Sequence, residues 1–346
     1  MDVLFKKLLE APGVSGHECR MAEIMLEELR KSCDEAQTDS FGNVIARKGE
    51  GKVKVMLAAH MDEIGLMVKY ITKEGFLHFI KLGGIDDRIL PSQRVVVKSR
   101  KGDFPGIIGT KPPHLQKDEE RKKTLKYEDM FIDIGCRDKA EAEKKVEIGD
   151  AVIFEPVSGV LNGDLCYGKA ADNRVGCYVL LKVMEKIKAS GASVYAVATA
   201  QEEVGLKGAR TSSFRIDPDY AIAIDTSVAG DTPGIGEKES SLKLGEGVSI
   251  TIIEASGRGL IVSEKMKRIL IDTAEKNKIK YQLDVIDGGM TDGAIIYMNR
   301  QGVCTGVLSV PTRYVHSPSG VFDLRDVNAA VELAAKAVTE LSGNSV

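Results

Sequence analysis

Apolar residues recur at helical spacing at the start of the chain. Val3, Leu4, Leu8 and Leu9 fall on one helix face, and Met21, Ile24, Met25 and Leu29 repeat the pattern after the turn APGVSGHE. Residues 53–59 (VKVMLAA) differ. They form a short apolar run with β-branched members and polar flanks, which predicts a buried strand, and they run directly into His60. From about residue 65 to 164 the texture changes to closely spaced short runs (LMVKYIT, FLHFI, RVVVKS, FPGIIGT, FIDIG, DAVIF) divided by Gly, Pro, Asp or charge clusters. That spacing predicts a small β-barrel or sandwich. Within it, residues 116–129 (QKDEERKKTLKYED) are almost entirely polar and predict a solvated loop.

Beyond residue 164 strands and helices alternate again. Val175, Val179, Leu180, Val183, Met184 and Ile187 line one helix face, and residues 194–200 (VYAVATA), 220–224 (YAIAI) and 302–310 (GVCTGVLSV) are strand-like. Ser263 opens a further helix through Ile269, Leu270 and Ala274, and a last helix runs from about 324 to 341 with Asp323 or Asp326 as its cap. Such alternation predicts a central mixed or parallel sheet flanked by helices, an α/β fold. The simplest organisation is one discontinuous domain, residues 1–64 and 165–346, with a β-rich domain inserted at 65–164.

Composition narrows the function classes. The chain of 346 residues carries 48 basic and 51 acidic side chains, a formal charge of -3, and 43% hydrophobic residues. This excludes a disordered tail, a collagen-like repeat and a strongly basic nucleic-acid binder. The six cysteines (Cys19, Cys33, Cys136, Cys166, Cys177, Cys304) are scattered without a C-x-x-C pair, so they read as small apolar residues rather than as a zinc module or a disulfide framework. The chain start lacks the apolar core of a signal peptide, and no run reaches the about 18 apolar residues that a spanning helix needs. A soluble cytoplasmic protein, engaging neither nucleic acid nor membrane, is expected.

The candidate chemistry lies at the strand ends. His60-Met61-Asp62 follows the first strand, Glu202-Glu203 follows VYAVATAQ, Asp225 ends YAIAID, His316 follows GVLSVPTRYV, and Asp172 in KAADNRVG precedes a helix. In open α/β sheets the ligand crevice lies outside the carboxyl ends of the strands, so these residues should converge. Two imidazoles and several carboxylates without a thiolate suit zinc, cobalt or manganese, and a pair of ions about 3.5–4 Å apart needs a bridging carboxylate. Asp62, two residues after His60 in extended chain, can hold the second ring nitrogen of that imidazole. Glu202 and Glu203 aim differently, so that one can ligate while the other takes a proton from water. Taken singly, an H-x-D is often a surface pair, a Glu-Glu a solvated face, and Asp172-Asn173 a helix cap. Their joint occurrence at strand ends points to metal. His17, His78 and His114 lack that setting and read as structural or surface residues.

At these residues the chain resembles the tetrahedral-aminopeptidase family, the glutamyl or deblocking aminopeptidases, which are co-catalytic dinuclear metallopeptidases. PGVSGHE, AAHMDEIGLMV, FIDIGCRDKAEAEKKVEIGD, KAADNRVG, TAQEEVGLKGAR, AIAIDTS, GGMTDGAIIY and RYVHSPSGVFDL occur in the family's order across nearly the whole length. The resemblance implies a metallopeptidase catalytic domain with an inserted PDZ- or barrel-like dimerisation domain. It also implies two divalent metal ions per subunit, zinc or cobalt, with manganese as a further option. By the same likeness His60 and Asp225 hold one ion, Glu203 and His316 the other, Asp172 bridges, Glu202 is the general base, and Asp62 supports His60.

The activity implied is removal of residues from the free N-terminus of peptides, within homodimers that build a tetrahedral homododecamer. Two departures are visible: Met290 in GGMTD stands where the family usually has Gly, and Gly320 follows HSPS where an acid is common. Both bear on the wall around the substrate side chain, and Met290 adds apolar volume there. Other chemistries compatible with the residues are a deacylase or dipeptidase on the same ligands and, less economically given two histidines, glycoside hydrolysis by a carboxylate pair.

Overall fold

The computed structural model describes residues 1–121, 123–188 and 191–343. Its larger sheet is mixed. Four strands at its centre, Ala192–Thr199, Val53–His60, Tyr220–Val228 and Cys304–Arg313, lie side by side in that order and run parallel. The antiparallel strands Val44–Lys48 and Glu35–Thr38 extend one side, and Gly320–Asp323, Leu165–Gly168 and Ser158–Asn162 extend the other. Val248–Ile253 also pairs with Cys304–Arg313 and carries Tyr281–Val285.

The two-residue period of the strands sorts their side chains to two cores. Val55, Leu57 and Ala59 join the large cluster under helices Val3–Glu10, Ala171–Lys186 and Leu324–Gly343. Met56 and Ala58 point the other way, to Ala209, Ile216 and Ile296 of the helices Lys207–Ile216 and Gly293–Ile296. Both faces are therefore covered, and that is why these strands read as continuous apolar runs. Among the described residues no helix is long and apolar enough to cross a membrane.

The β-rich segment forms a closed antiparallel barrel of Gly65–Ile71, Leu77–Leu82, Phe131–Asp133, Gly102–Gly109, Arg94–Ser99 and Ala151–Phe154. It has its own core, built on Leu66, Val68, Leu77, Val97, Ile132 and Val152. The chain leaves the barrel after Phe154, earlier than residue 164, because Ser158–Asn162 and Leu165–Gly168 form a hairpin on the edge of the larger sheet. A hairpin has the same local pattern whichever sheet it joins. In the polar run 116–129, Lys122 lies outside the described residues; Leu125 and Tyr127 pack on the barrel core, and the Tyr127 amide donates to Asp87. That part is anchored rather than a free loop.

Ser263 caps Glu264–Lys276 by accepting the Met266 amide, as its place before the apolar period predicts. At the last helix the two candidate caps divide their work. Asp323 accepts the Arg325 amide, whereas buried Asp326 accepts the amides of Gly245 and Gly247 and ties down a distant loop. Of the cysteines, Cys136, Cys166 and Cys177 are buried as expected, but Cys19 is exposed.

Candidate metal centre

Parallel register brings the strand ends together. Thr199 lies opposite His60 and Ala223 opposite Ala58, so His60 and Asp225, each two residues further on, come out on one face at adjacent strand ends. His60 is buried, and its Nε2 stands 3.2 Å from Asp172 Oδ1, 3.7 Å from Asp225 Oδ1 and 3.9 Å from Glu202 Oε2. His316 Nε2 stands 3.5 Å from Asp172 Oδ2 and 3.6 Å from Glu203 Oε2. The seven residues singled out from the sequence thus meet in one cluster, with Asp172 offering one oxygen to each imidazole. The cap expected at Asp172-Asn173 falls to Asn173 alone, whose Oδ1 accepts the Gly176 amide, and this leaves the Asp172 carboxylate free for the site.

Asp62 does more than steady an imidazole. It is fully buried; Oδ1 lies 3.4 Å from His60 Nδ1 and accepts the Glu202 amide, while Oδ2 accepts the Glu203 amide and the Ser15 hydroxyl. One carboxylate therefore fixes His60 and both glutamate backbones. Burial raises its proton affinity, but His60, Ser15 and the Glu202 amide outweigh that and hold it below the usual range.

Charge crowding shows in the titration of the other groups. Burial lowers the His60 imidazole, yet the charges of Glu202 and Asp225 and a bond to Asp172 carry it well above its ordinary value. Glu202 is pushed well up by burial and by Asp225, Asp292 and Glu203; Glu203 is pushed well up by burial and by Asp172, Asp62 and Asp225. Among the described residues no lysine or arginine pairs with these carboxylates, and Glu203 Oε1 is buried without a hydrogen-bond partner. Nitrogen and oxygen donors this close, His60 with Glu202 and Asp225, and His60 with Asp172 and Glu203, are an arrangement that divalent cations satisfy and that the protein alone does not. The residues fit the metal.

Several supporting residues carry no sequence period that would reveal them. Glu18 accepts the Gly16 and Gln201 amides and so ties the first turn to the Glu202 loop; its place with Ser15 inside the Gly-rich PGVSGHE was the only local sign. Asp292 accepts the Thr199 hydroxyl, has its other oxygen unpartnered, and is pushed up to about 7 by burial. Glu63, Lys169 and Arg174, all buried, lie in the segments leading into the site. Lys169 Nζ is 2.6 Å from Glu63 Oε1, Arg174 Nη2 is 3.5 Å from that same oxygen, and Arg174 Nη1 donates to the carbonyls of Leu8 and Ala11.

The barrel also reaches the centre. The Gly84 carbonyl lies 2.9 Å from His316 Nδ1, so Nδ1–H donates to it and the Nε2 lone pair faces Asp172 and Glu203. A Cβ at Gly84 would stand 2.8 Å from that same nitrogen, and one at Gly83 2.9 Å from Glu203 Oε2. Gly84→Ala should displace the His316 ring and weaken metal binding there by about 10- to 100-fold, the usual cost of losing an orienting partner. Calorimetric metal titration checks this, and wild-type affinity would show that Gly84 does not position the imidazole. Gly320 lines a small hollow beside the cluster with Asp172, Glu203 and His316. A Cβ there would meet Ala171 Cβ at 2.6 Å, so the absence of a side chain lets the strand pass behind Asp172.

The cluster opens into a cleft of about 260 Å³ whose walls include Met290, Ile286, Val228 and Thr291. A larger groove of about 620 Å³, lined by Arg210, Phe214, Met298 and Arg300 among others, has no imidazole or carboxylate on its wall among the described residues.

The chain is similar to known aminopeptidases in sequence and fold. A putative aminopeptidase of Acetivibrio thermocellus is 40% identical over 97% of both chains. The structure of aminopeptidase APDkam598 from Desulfurococcus kamchatkensis superposes with a TM-score of 0.93 at 41% identity, covering 99% of this chain and 97% of that one. The Pyrococcus horikoshii TET1 peptidase, described as able to assemble into a tetrahedron or a large octahedral shell, superposes with a TM-score of 0.87 at 36% identity over 96% of this chain and 97% of its own. The family model for M42 glutamyl aminopeptidases matches residues 42–333. With sequence, fold and strand-end cluster in agreement, the chain belongs to the M42 glutamyl aminopeptidase family.

Proposed function

We propose that this peptide hydrolase works with two divalent ions, zinc or cobalt, with manganese as an alternative. His60 and Asp225 would hold one, Glu203 and His316 the other, and Asp172 would lie between them. The observation that carries this reading is the placing of Asp172, whose two oxygens stand 3.2 Å and 3.5 Å from the Nε2 atoms of two different histidines. Ions in these seats supply Lewis acidity, polarising a peptide carbonyl and acidifying water. Glu202 accepts the proton of the attacking water and returns it to the leaving amine nitrogen. Asp62 keeps Glu202 in place through its amide and keeps His60 oriented through Nδ1. Gly83 and Gly84, from the barrel, close the side of the site at Glu203 and His316.

The barrel is proposed to pair subunits into homodimers, and six dimers to close a tetrahedral homododecamer. The assembly described for the Pyrococcus horikoshii relative supports this. Enclosure would restrict substrates to peptides able to enter, with a free N-terminus.

A panel of aminoacyl, N-acetyl-aminoacyl and glycoside chromogenic substrates, with and without chelator, tests the reaction. Aminoacyl substrates should be cleaved, chelation should reduce cleavage to background, and zinc, cobalt or manganese should restore it. Acetylation of the α-amine should lower kcat/KM by about 10²-fold or more, because groups built to meet the amine would be left unpaired. Full activity in metal-free protein, or turnover of blocked substrates at the same rate, would sink the proposal.

A further inference from the structure

We infer that the cleft beside the metal centre selects neutral, apolar N-terminal residues and refuses acidic ones, so that this chain is not a glutamyl-specific enzyme although the family carries that description. The inference deepens the aminopeptidase activity proposed above and rests on it.

A glutamyl side chain entering a dehydrated cleft must exchange water for a cation or for several hydrogen-bond donors. The cleft offers no cation of its own. Among the described residues its wall contains no lysine or arginine, and its two imidazoles, His60 and His316, already face Asp172. Its acids, Asp225 and Glu202 of the metal cluster and Glu254, supply no positive partner either.

Glu254 is completely buried behind that wall. Its Oε1 accepts the Thr291 hydroxyl at 2.7 Å and its Oε2 the Leu260 amide at 3.3 Å. Both oxygens are engaged within the protein. With both oxygens engaged, Glu254 has no free acceptor to offer a lysyl ammonium. Asp284, behind Ser227, is spent likewise, accepting the Ser227 hydroxyl at 2.6 Å.

Of the wall's hydroxyls, those of Ser227 and Thr291 are already donated, to Asp284 and Glu254, and, apart from the metal cluster, Thr226 and Glu254, its remaining side chains are apolar. Met290 is 50% exposed, and its side chain lies beside Glu254 across Gly259, where an added Cβ would meet Met290 Cγ and Glu254 Cβ each at 2.9 Å. With Ile286, Val228 and Val315, Met290 forms an apolar stretch of the wall. At about 260 Å³ the space is just below the ~300–1,000 Å³ of common ligand pockets, which suits one residue rather than a long segment.

The test compares leucyl, methionyl, lysyl and glutamyl anilides on the metal-loaded wild-type enzyme and on Met290→Lys. Free leucine and free glutamate are also titrated into both proteins by calorimetry. Wild type should prefer leucyl over glutamyl by at least about 100-fold in kcat/KM. Met290→Lys, at an exposed side chain outside the metal cluster, should raise the glutamyl-to-leucyl ratio by at least about tenfold, with unchanged metal content. Glutamyl or lysyl turnover equal to leucyl, tighter binding of glutamate than of leucine, or an unaltered ratio in Met290→Lys would overturn the inference. If no anilide is cleaved while leucine still binds more tightly than glutamate, the proposed activity falls and the selectivity of the cleft stands.

Discussion

Glu202→Gln is expected to reduce kcat by about 10²- to 10⁴-fold while leaving metal content near wild type. Glutamine keeps the shape of the side chain and the amide that Asp62 holds at 2.9 Å, and removes only the capacity to take a proton. The neighbouring change should differ in kind. Glu203 Oε2 lies 3.6 Å from His316 Nε2, and Oε1 is buried without a partner, the situation of a ligand awaiting its cation. Glu203→Gln should therefore empty or weaken one metal seat, with activity partly regained in excess metal. Metal analysis beside single-turnover rates separates the two. Glu202 Oε2 also lies 3.9 Å from His60 Nε2, close enough to ligate, so the pair of mutants decides a point that distance does not. Loss of metal in Glu202→Gln with retention in Glu203→Gln would exchange the two roles. Full activity in both would remove the pair from the site.

Glu63→Ala should cost about 3–5 kcal/mol of stability, enough to lower a denaturation midpoint sharply. Glu63 pairs with two buried cations, Lys169 and Arg174, and it also accepts the Gly13 amide. Its removal leaves both cations short of an anion in the interior. Lys169→Met should cost less, since Glu63 keeps Arg174 and the Gly13 amide.

A pH signature distinguishes the two variants further. Burial pushes the Lys169 amine down to about 8 against the pull of Glu63, from an ordinary value of 10.5. Between those values the unfolded chain binds more protons than the folded one, so this residue makes stability rise with pH from about 8 to 10.5. Lys169→Met should flatten that part of the stability curve. An unchanged slope would show that Lys169 titrates normally.

Much of the scaffold was legible in the linear pattern, because burial on two faces imposes a recognisable composition on each strand. VKVMLAA, VYAVATA and YAIAI read as buried strands from their apolar runs, and Ser263 read as a cap from its position before a helical period. The barrel was visible as closely spaced strands, but its end was not, since the hairpin of Ser158–Asn162 and Leu165–Gly168 pairs with distant Gly320–Asp323. The Asp323 and Asp326 alternatives had the same origin. Local signals name a cap candidate, whereas the loop at Gly245 that captures Asp326 lies far away in sequence.

The sequence by itself singled out the seven residues that meet in the cluster, His60, Asp62, Asp172, Glu202, Glu203, Asp225 and His316, because a strand end in an open α/β sheet has one direction to face and the chemistry of metal binding admits few residue types. Only the tertiary structure decided how those donors are held. Asp62 anchors both glutamate amides, Glu18 and Ser15 bring the first turn against the site, Gly84 of the barrel sets the His316 tautomer, and buried Glu254 backs the cleft. Each of these contacts joins residues without a common period or motif. They depend on which loops the packed sheet and barrel bring within about 3 Å of one another, and hydrogen bonding at that range is specified by the folded geometry rather than by any local run of residues.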